Sequence, residues 1–157
     1  MGVSGSGKST IARLLASRLG GVFIDADDFH PLANIEKMSR GIPLEDEDRL
    51  PWLKSLRDEI ISPAPPGKLK ILACSALKLS YREILGENIR TVFLHGDRET
   101  LAERLSARSG HYMGPELLDS QLTTLEEPNE SEAIRFPINL TPEEIVSGIL
   151  AAFFLEV

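Results

Sequence analysis

The sequence predicts an α/β fold in one domain: a parallel sheet covered by helices on both faces. Three observations carry this. Short apolar runs of strand type (residues 22–24, 69–73, 90–94 and 136–140) alternate with stretches of helical periodicity, the pattern of successive βαβ units. Polar clusters at 25–30, 74–78 and 95–97 each follow a strand, at the sheet edge where such folds gather their functional groups. A Gly/Ser-rich loop, Gly2-Val3-Ser4-Gly5-Ser6-Gly7-Lys8-Ser9-Thr10, runs straight into a helical pattern. A length of 157 residues suits a single domain, and 42% apolar content supports a packed core.

Each element has its own signal. Residues 8–19 read as a helix with Ile11, Leu14, Leu15 and Leu19 on one face, stopped by Gly20-Gly21. The strand at 22–24 ends in Asp25-Ala26-Asp27-Asp28. Residues 34–39 read as helical until Gly41-Ile42-Pro43 breaks them. Asp48-Arg49-Leu50-Pro51 reads as a helix entry, with Trp52, Leu53, Leu56 and Ile60 facing a core. The Pro-rich stretch 62–67 is a connector. After the strand at 69–73 comes a helix to about Leu85, and after the strand at 90–94 a helix over 98–108, with Leu101 and Leu105 inward. Leu117, Leu118, Gln121, Leu122 and Leu125 mark a further helix. The strand at 136–140 is weak, and Pro137 suits an edge. Thr141-Pro142-Glu143-Glu144 is a capping box with proline at the first helical position.

The loop matches the phosphate-binding pattern G-x-x-x-x-G-K-[ST] at every fixed position from Gly2 to Ser9. Its glycines let backbone N–H groups approach phosphate oxygens, and the following helix adds a positive N-terminal dipole. In this pattern Lys8 reaches the β- and γ-phosphates, and the Ser9 hydroxyl ligates Mg²⁺. Such a loop normally follows a buried strand, whereas here only Met1 precedes it. The expectation is therefore that the first strand is lacking or that the polypeptide starts upstream, leaving a gap between the strands at 69–73 and 90–94.

The net charge of −7 argues against a general nucleic-acid or anionic-membrane binder, while allowing a local basic pocket. Cys74 is the single cysteine, so no internal disulfide is possible, and a reducing, cytoplasmic setting is the simplest fit. No leader pattern is seen, and the richest apolar run, 145–155, is too short to span a bilayer.

A more particular set of residues resembles the gluconokinase family. It comprises the loop, then Asp27, His30-Pro31, Asn34-Ile35-Glu36-Lys37-Met38, Gly41-Ile42-Pro43-Leu44, Asp46-Glu47-Asp48-Arg49 and Pro51-Trp52-Leu53. It continues through Cys74-Ser75-Ala76-Leu77-Lys78, Tyr81-Arg82, Arg104-Leu105 to Arg108, Gly110-His111, Ser120-Gln121-Leu122 and Pro128. The resemblance implies phosphorylation of D-gluconate at its 6-hydroxyl by ATP with Mg²⁺. It also implies a three-layer αβα P-loop fold with strand order 2-3-1-4-5 and a lid at about 109–127; a homodimer is allowed, and the sequence leaves the oligomeric state open. The tail Arg135-Phe136-Pro137-Ile138-Asn139 departs from the family pattern and leaves the placement of the last strand open.

Phosphoryl transfer asks for positioning and charge neutralisation. Gly2 to Thr10 would hold the nucleotide, with Lys8 on the transferring phosphate. Asp27, at a strand end, is the candidate to accept or orient the substrate hydroxyl proton, with Asp25 the weaker candidate; a helix N-cap or a contact behind Mg²⁺ is the other reading of Asp27. A carboxylate substrate calls for a cationic fork, so Arg49, Lys78 and Arg82 are candidates, with His30, Asn34 and Lys37 near them in sequence. Arg104 and Arg108, four apart on one helix face, would repel unless an anion such as ATP phosphate lies between them; a solvated face tempered by Glu99 and Glu103 is the alternative. The resemblance adds His111, in a Gly-flanked segment suited to a lid, and Gln121 to the substrate-side set, and counts Arg108 with Lys8 and Asp27 as catalytic. Rival readings are a kinase of this fold acting on shikimate, a nucleoside or adenylyl sulfate, or a nucleotide-binding protein without catalysis.

Overall fold

The computed structural model describes residues 1–61, 68–107 and 115–154. The connector at 62–67 lies outside them. Helix α1 (Lys8–Leu19) starts at Gly7 and ends at Gly20, whose N–H bonds to Ala16 O. It buries Ile11, Ala12, Leu15 and Ala16, with Leu14 and Leu19 packed against the same core. Strand β1 (Val22–Asp25) leads into a 3₁₀ turn at Ala26–Phe29, and α2 (Leu32–Ser39) follows.

Helix α3 (Asp46–Ser55) begins two residues earlier than its sequence suggests. The Asp48 carboxylate accepts the Glu45 N–H at 2.9 Å, and this contact sets the start of the helix. Pro51 therefore lies inside the helix rather than at its entry, and its missing N–H leaves one helical bond unmade. The chain continues as a π-helical segment, Leu56–Ile61. Trp52, Leu53 and Leu56 are fully buried and Ile60 packs beside them.

Strand β2 (Lys70–Ala73) is followed by α4 (Leu79–Leu85), β3 (Val92–His95), α5 (Arg98–Ser106), α6 (Pro115–Thr124), β4 (Ile134–Pro137) and α7 (Pro142–Phe154). The α5 start is capped by Asp97, which accepts the Thr100 N–H at 2.8 Å, so this member of the polar cluster at 95–97 is a helix cap. Strand β4 lies two residues earlier than expected. Parallel pairing with β3 sets its place, from Val92 opposite Ile134 to His95 opposite Pro137. Pro137 ends the strand on the side away from any described neighbour, consistent with an edge. Glu144 closes the capping box on Thr141 as expected, accepting its N–H at 2.8 Å.

The strands form two parallel pairs, β1–β2 and β3–β4. Between β2 and β3 runs the backbone of Met1 and Gly2. The Met1 amine donates to Val92 O, Leu94 N–H donates to Met1 O at 3.0 Å, and Gly2 N–H donates to Ser75 O at 3.2 Å. Met1 and Gly2 thus bridge the space between β2 and β3, which do not pair with each other. Two cores flank it. One gathers Val3, Ile11, Leu15, Leu77, Leu94 and Leu101 with the α7 residues Ile145, Val146 and Ile149. The other gathers Trp52, Leu53, Leu56, Cys74, Tyr81 and Leu85. No described helix is long and apolar enough to cross a membrane.

Candidate active site

The loop between Met1 and α1 is shaped by backbone that only glycine tolerates. Gly2 has φ of +145°, and a Cβ there would stand 2.6 Å from Leu94 O. Gly7 has φ of +90°, but a Cβ there would meet nothing within 4 Å. Gly2 therefore answers to packing, and Gly7 to its left-handed backbone alone. Helix α1 has no side-chain cap and no acidic residue of its own in its first turn, so its N-terminal amides are left for a ligand. Ser6 is buried, and its hydroxyl has no partner among the described residues. The Ser4 N–H is held by Gln121 Oε1 at 2.7 Å, tying the loop to α6. Lys8 Nζ donates to Val3 O at 3.0 Å.

These features fit a polyphosphate. Ser9 Oγ donates to Asp25 Oδ2 at 2.9 Å, which places two hard oxygen ligands together at the end of β1. Such a pair suits Mg²⁺, which takes one or two protein oxygens and completes its shell with water and phosphate.

Opposite the loop, a cleft is lined by Ser4, Lys8 and Gln121 on one side and by Asp27, His30 and Arg49 on the other. Its floor is apolar, with Leu77 from one core and Trp52 from the other. His30 stacks on Trp52 with ring centroids 4.1 Å apart, and Trp52 Nε1 donates to Ala26 O at 2.8 Å. Burial, and secondarily the Arg49 charge, push the His30 imidazole down to about 4, so it is neutral at pH 7. Arg49 Nη1 donates to Tyr81 Oη at 3.2 Å, and the Tyr81 hydroxyl donates in turn to Asp46.

The structure brings Asp27, His30, Arg49, Lys8 and Gln121 to one cleft. It gives the other candidates different partners. Lys37 pairs with Asp48 at 2.8 Å and Lys78 with Asp46 at 2.8 Å. Arg82 donates to the carbonyls of Ala76, Leu77 and Glu126 and to Glu132, fastening the 74–78 loop to the segment after α6. Arg104 donates to Ile138 O at 2.6 Å, and Asn34 is buried between His30 and Asp48. Arg108, His111 and residues 109–114 of the expected lid lie outside the described residues; the rest of that segment includes α6, anchored through Gln121.

Several cleft residues had no site role in the sequence, among them Trp52, Ser75 and Ser120. Trp52 sits at core spacing and is core, yet it also lines the cleft. Ser75 and Ser120 carried usable signals, since one follows a strand and the other precedes Gln121.

With this geometry in view, the likenesses to known proteins agree. The family model described as shikimate kinase matches residues 4–152. A gluconokinase from Gluconobacter oxydans is 46% identical, with 99% of this chain and 90% of that protein covered. The crystal structure of an unliganded sugar kinase from Janibacter sp. HTCC2649 superposes with a TM-score of 0.89 at 44% identity, covering 96% of this chain and 90% of that one. A gluconokinase from Sinorhizobium meliloti 1021 gives a TM-score of 0.83 at 44% identity, covering 96% and 87%. A glycine loop open at Gly7, an uncapped α1 and a cleft joining both to Asp27 and Arg49 are what a small-molecule kinase requires, and the chain belongs to the gluconokinase family of P-loop kinases.

Proposed function

We propose that this chain transfers the γ-phosphoryl group of ATP to the 6-hydroxyl of D-gluconate, giving 6-phospho-D-gluconate and ADP. The observation that carries the reading is the single cleft lined by Lys8 of the loop, Asp27 after β1 and Arg49 of α3. Gluconate has a hydroxyl at one end and a carboxylate at the other, and the cleft offers a carboxylate for the first and a guanidinium for the second. Asp27 accepts the hydroxyl proton as the oxygen attacks the γ-phosphorus. The bond from phosphorus to the β,γ-bridging oxygen breaks, and its electron pair leaves with ADP. Lys8 and the loop amides hold the phosphates through the charge redistribution. Mg²⁺, held by Ser9 and Asp25, supplies charge neutralisation on the phosphate oxygens when bound. Arg49 forks the substrate carboxylate with the N–H groups that Tyr81 does not engage.

We place the reaction in the cytoplasm, where Cys74, buried and with its thiol pushed up to about 11 by burial, is an inert packing residue. The test is ADP release over a panel of gluconate, shikimate, a nucleoside and adenylyl sulfate. Turnover with gluconate alone is expected. Turnover of another member with none of gluconate, or nucleotide binding with no turnover at all, overturns the reading.

A further inference from the structure

We propose that His30 is a positioning residue: Asn34 locks its Nδ1 as an acceptor, so that the imidazole presents a fixed Nε2–H to Asp27 Oδ1 and aims that carboxylate at the substrate hydroxyl. The consequence for catalysis rests on the kinase reading above, whereas the locking of the ring does not.

The argument starts at a carbonyl. Asp48 O can only accept, and it lies 2.9 Å from the side-chain nitrogen of Asn34. This fixes which end of the Asn34 amide is the NH₂ group. One amide hydrogen goes to Asp48 O, and the other faces His30 Nδ1 at 3.3 Å. A ring nitrogen that receives an N–H cannot carry its own proton, so in the neutral ring the proton is on Nε2. Nε2 stands 3.7 Å from Asp27 Oδ1. The His30 side chain is 5% exposed and that of Asp27 66%. His30 is clamped between the Trp52 ring and Asn34, so rotation of the more exposed Asp27 closes the distance to hydrogen-bond range.

Two charged groups bear on the ring, Asp27 from its own segment and Arg49 from α3, and Lys8 lines the same cleft. Arg49 opposes a second proton, as do burial and the Asn34 N–H facing Nδ1. His30 is therefore a donor of constant charge. It stabilises the anionic form of Asp27 and directs the lone pair that receives the hydroxyl proton.

The experiment has two arms on the full chain. Long-range ¹⁵N–¹H spectra of the imidazoles, assigned by loss of one signal in His30→Gln, are expected to show the Nε2–H tautomer, uncharged down to about pH 5. In Asn34→Asp an acceptor faces Nδ1, so the ring should take a second proton and titrate near or above its ordinary ~6.5. A predominant Nδ1–H tautomer or an imidazolium at pH 7 in the unmodified chain overturns the proposal, even if Asn34→Asp fails to fold. The second arm is steady-state kinetics with gluconate and ATP. His30→Phe keeps the stack on Trp52 but loses the donor, and its kcat should fall about 10- to 100-fold with KM for ATP within about twofold. His30→Gln, which restores an N–H at similar reach, should recover most of that loss. A folded His30→Phe with kcat within about twofold of normal overturns the proposal. If no variant, nor the unmodified chain, phosphorylates gluconate, it is the substrate reading that has failed, and the tautomer decides the locking of the ring.

Discussion

The two walls of the cleft are built differently. The nucleotide wall is backbone: a loop with left-handed glycines, an uncapped helix start, and one lysine bonded back onto the loop at Val3 O. The acceptor wall is side chain: Asp27 beside His30, His30 held by Asn34 and stacked on Trp52 of α3, and Arg49 bonded to Tyr81 of α4. On the first wall the local sequence decides what binds, because N–H groups point wherever φ and ψ direct them. On the second, each cation has carboxylates and carbonyls within reach, and function falls to the one whose partners leave it facing the cleft. Lys37, Lys78 and Arg82 are held elsewhere, while Arg49 lines the cleft.

The largest expected effect is on the nucleotide wall. Lys8→Ala removes the charge that follows the transferring phosphate, and kcat should fall by roughly 10³-fold. A steady-state rate within tenfold of normal would mean that the loop amides alone carry the charge. Next comes Asp27→Asn on the acceptor wall, expected to lower kcat by roughly 10²-fold while an ATP analogue still binds with unchanged affinity by calorimetry. Near-normal kcat in this variant rules out the proton-accepting role.

A paired comparison sharpens the contrast among cations. Arg49→Ala should raise KM for gluconate by about 10- to 100-fold, the worth of a charge-assisted hydrogen bond. Lys78→Ala, which loses a partly exposed ion pair with Asp46, should change KM by less than about threefold. Equal effects would show that the ion-paired lysine is recruited when substrate arrives. The smallest effect concerns acid. His30 has its folded value near 4, below its ordinary 6.5, so the unfolded chain takes the proton first. Its contribution to stability is fully present above about pH 6.5 and is lost as pH falls toward 4. Melting curves between pH 6.5 and 5 should therefore show a fall in Tm of a few degrees that shrinks in His30→Gln. A fall of the same size in His30→Gln assigns it to other groups.

Much of this molecule was legible in its residues. The phosphate loop, both ends of α1, and the α7 capping box were all readable, because each depends on contacts within a few positions. Asp27 and His30 were candidates on residue type and place after a strand, Arg49 on its guanidinium and Gln121 through the family resemblance, and all four line the cleft. The start of α3 was misread because Pro51 is a strong local signal, yet the carboxylate of Asp48 outweighs it by holding the Glu45 N–H.

What the sequence by itself determined is therefore the loop, the alternation of strands and helices, and the kinds of side chain at the sheet edge. Tertiary structure alone decided the register of β4 against β3, the pairing of Lys37 with Asp48 and Lys78 with Asp46, and the turning of Arg82 and Arg104 to carbonyls. The reason is physical. A backbone turn is set by the steric limits of its own residues, whereas a charged side chain takes the best of several partners, and those partners lie 11, 32, 34 or 44 residues away.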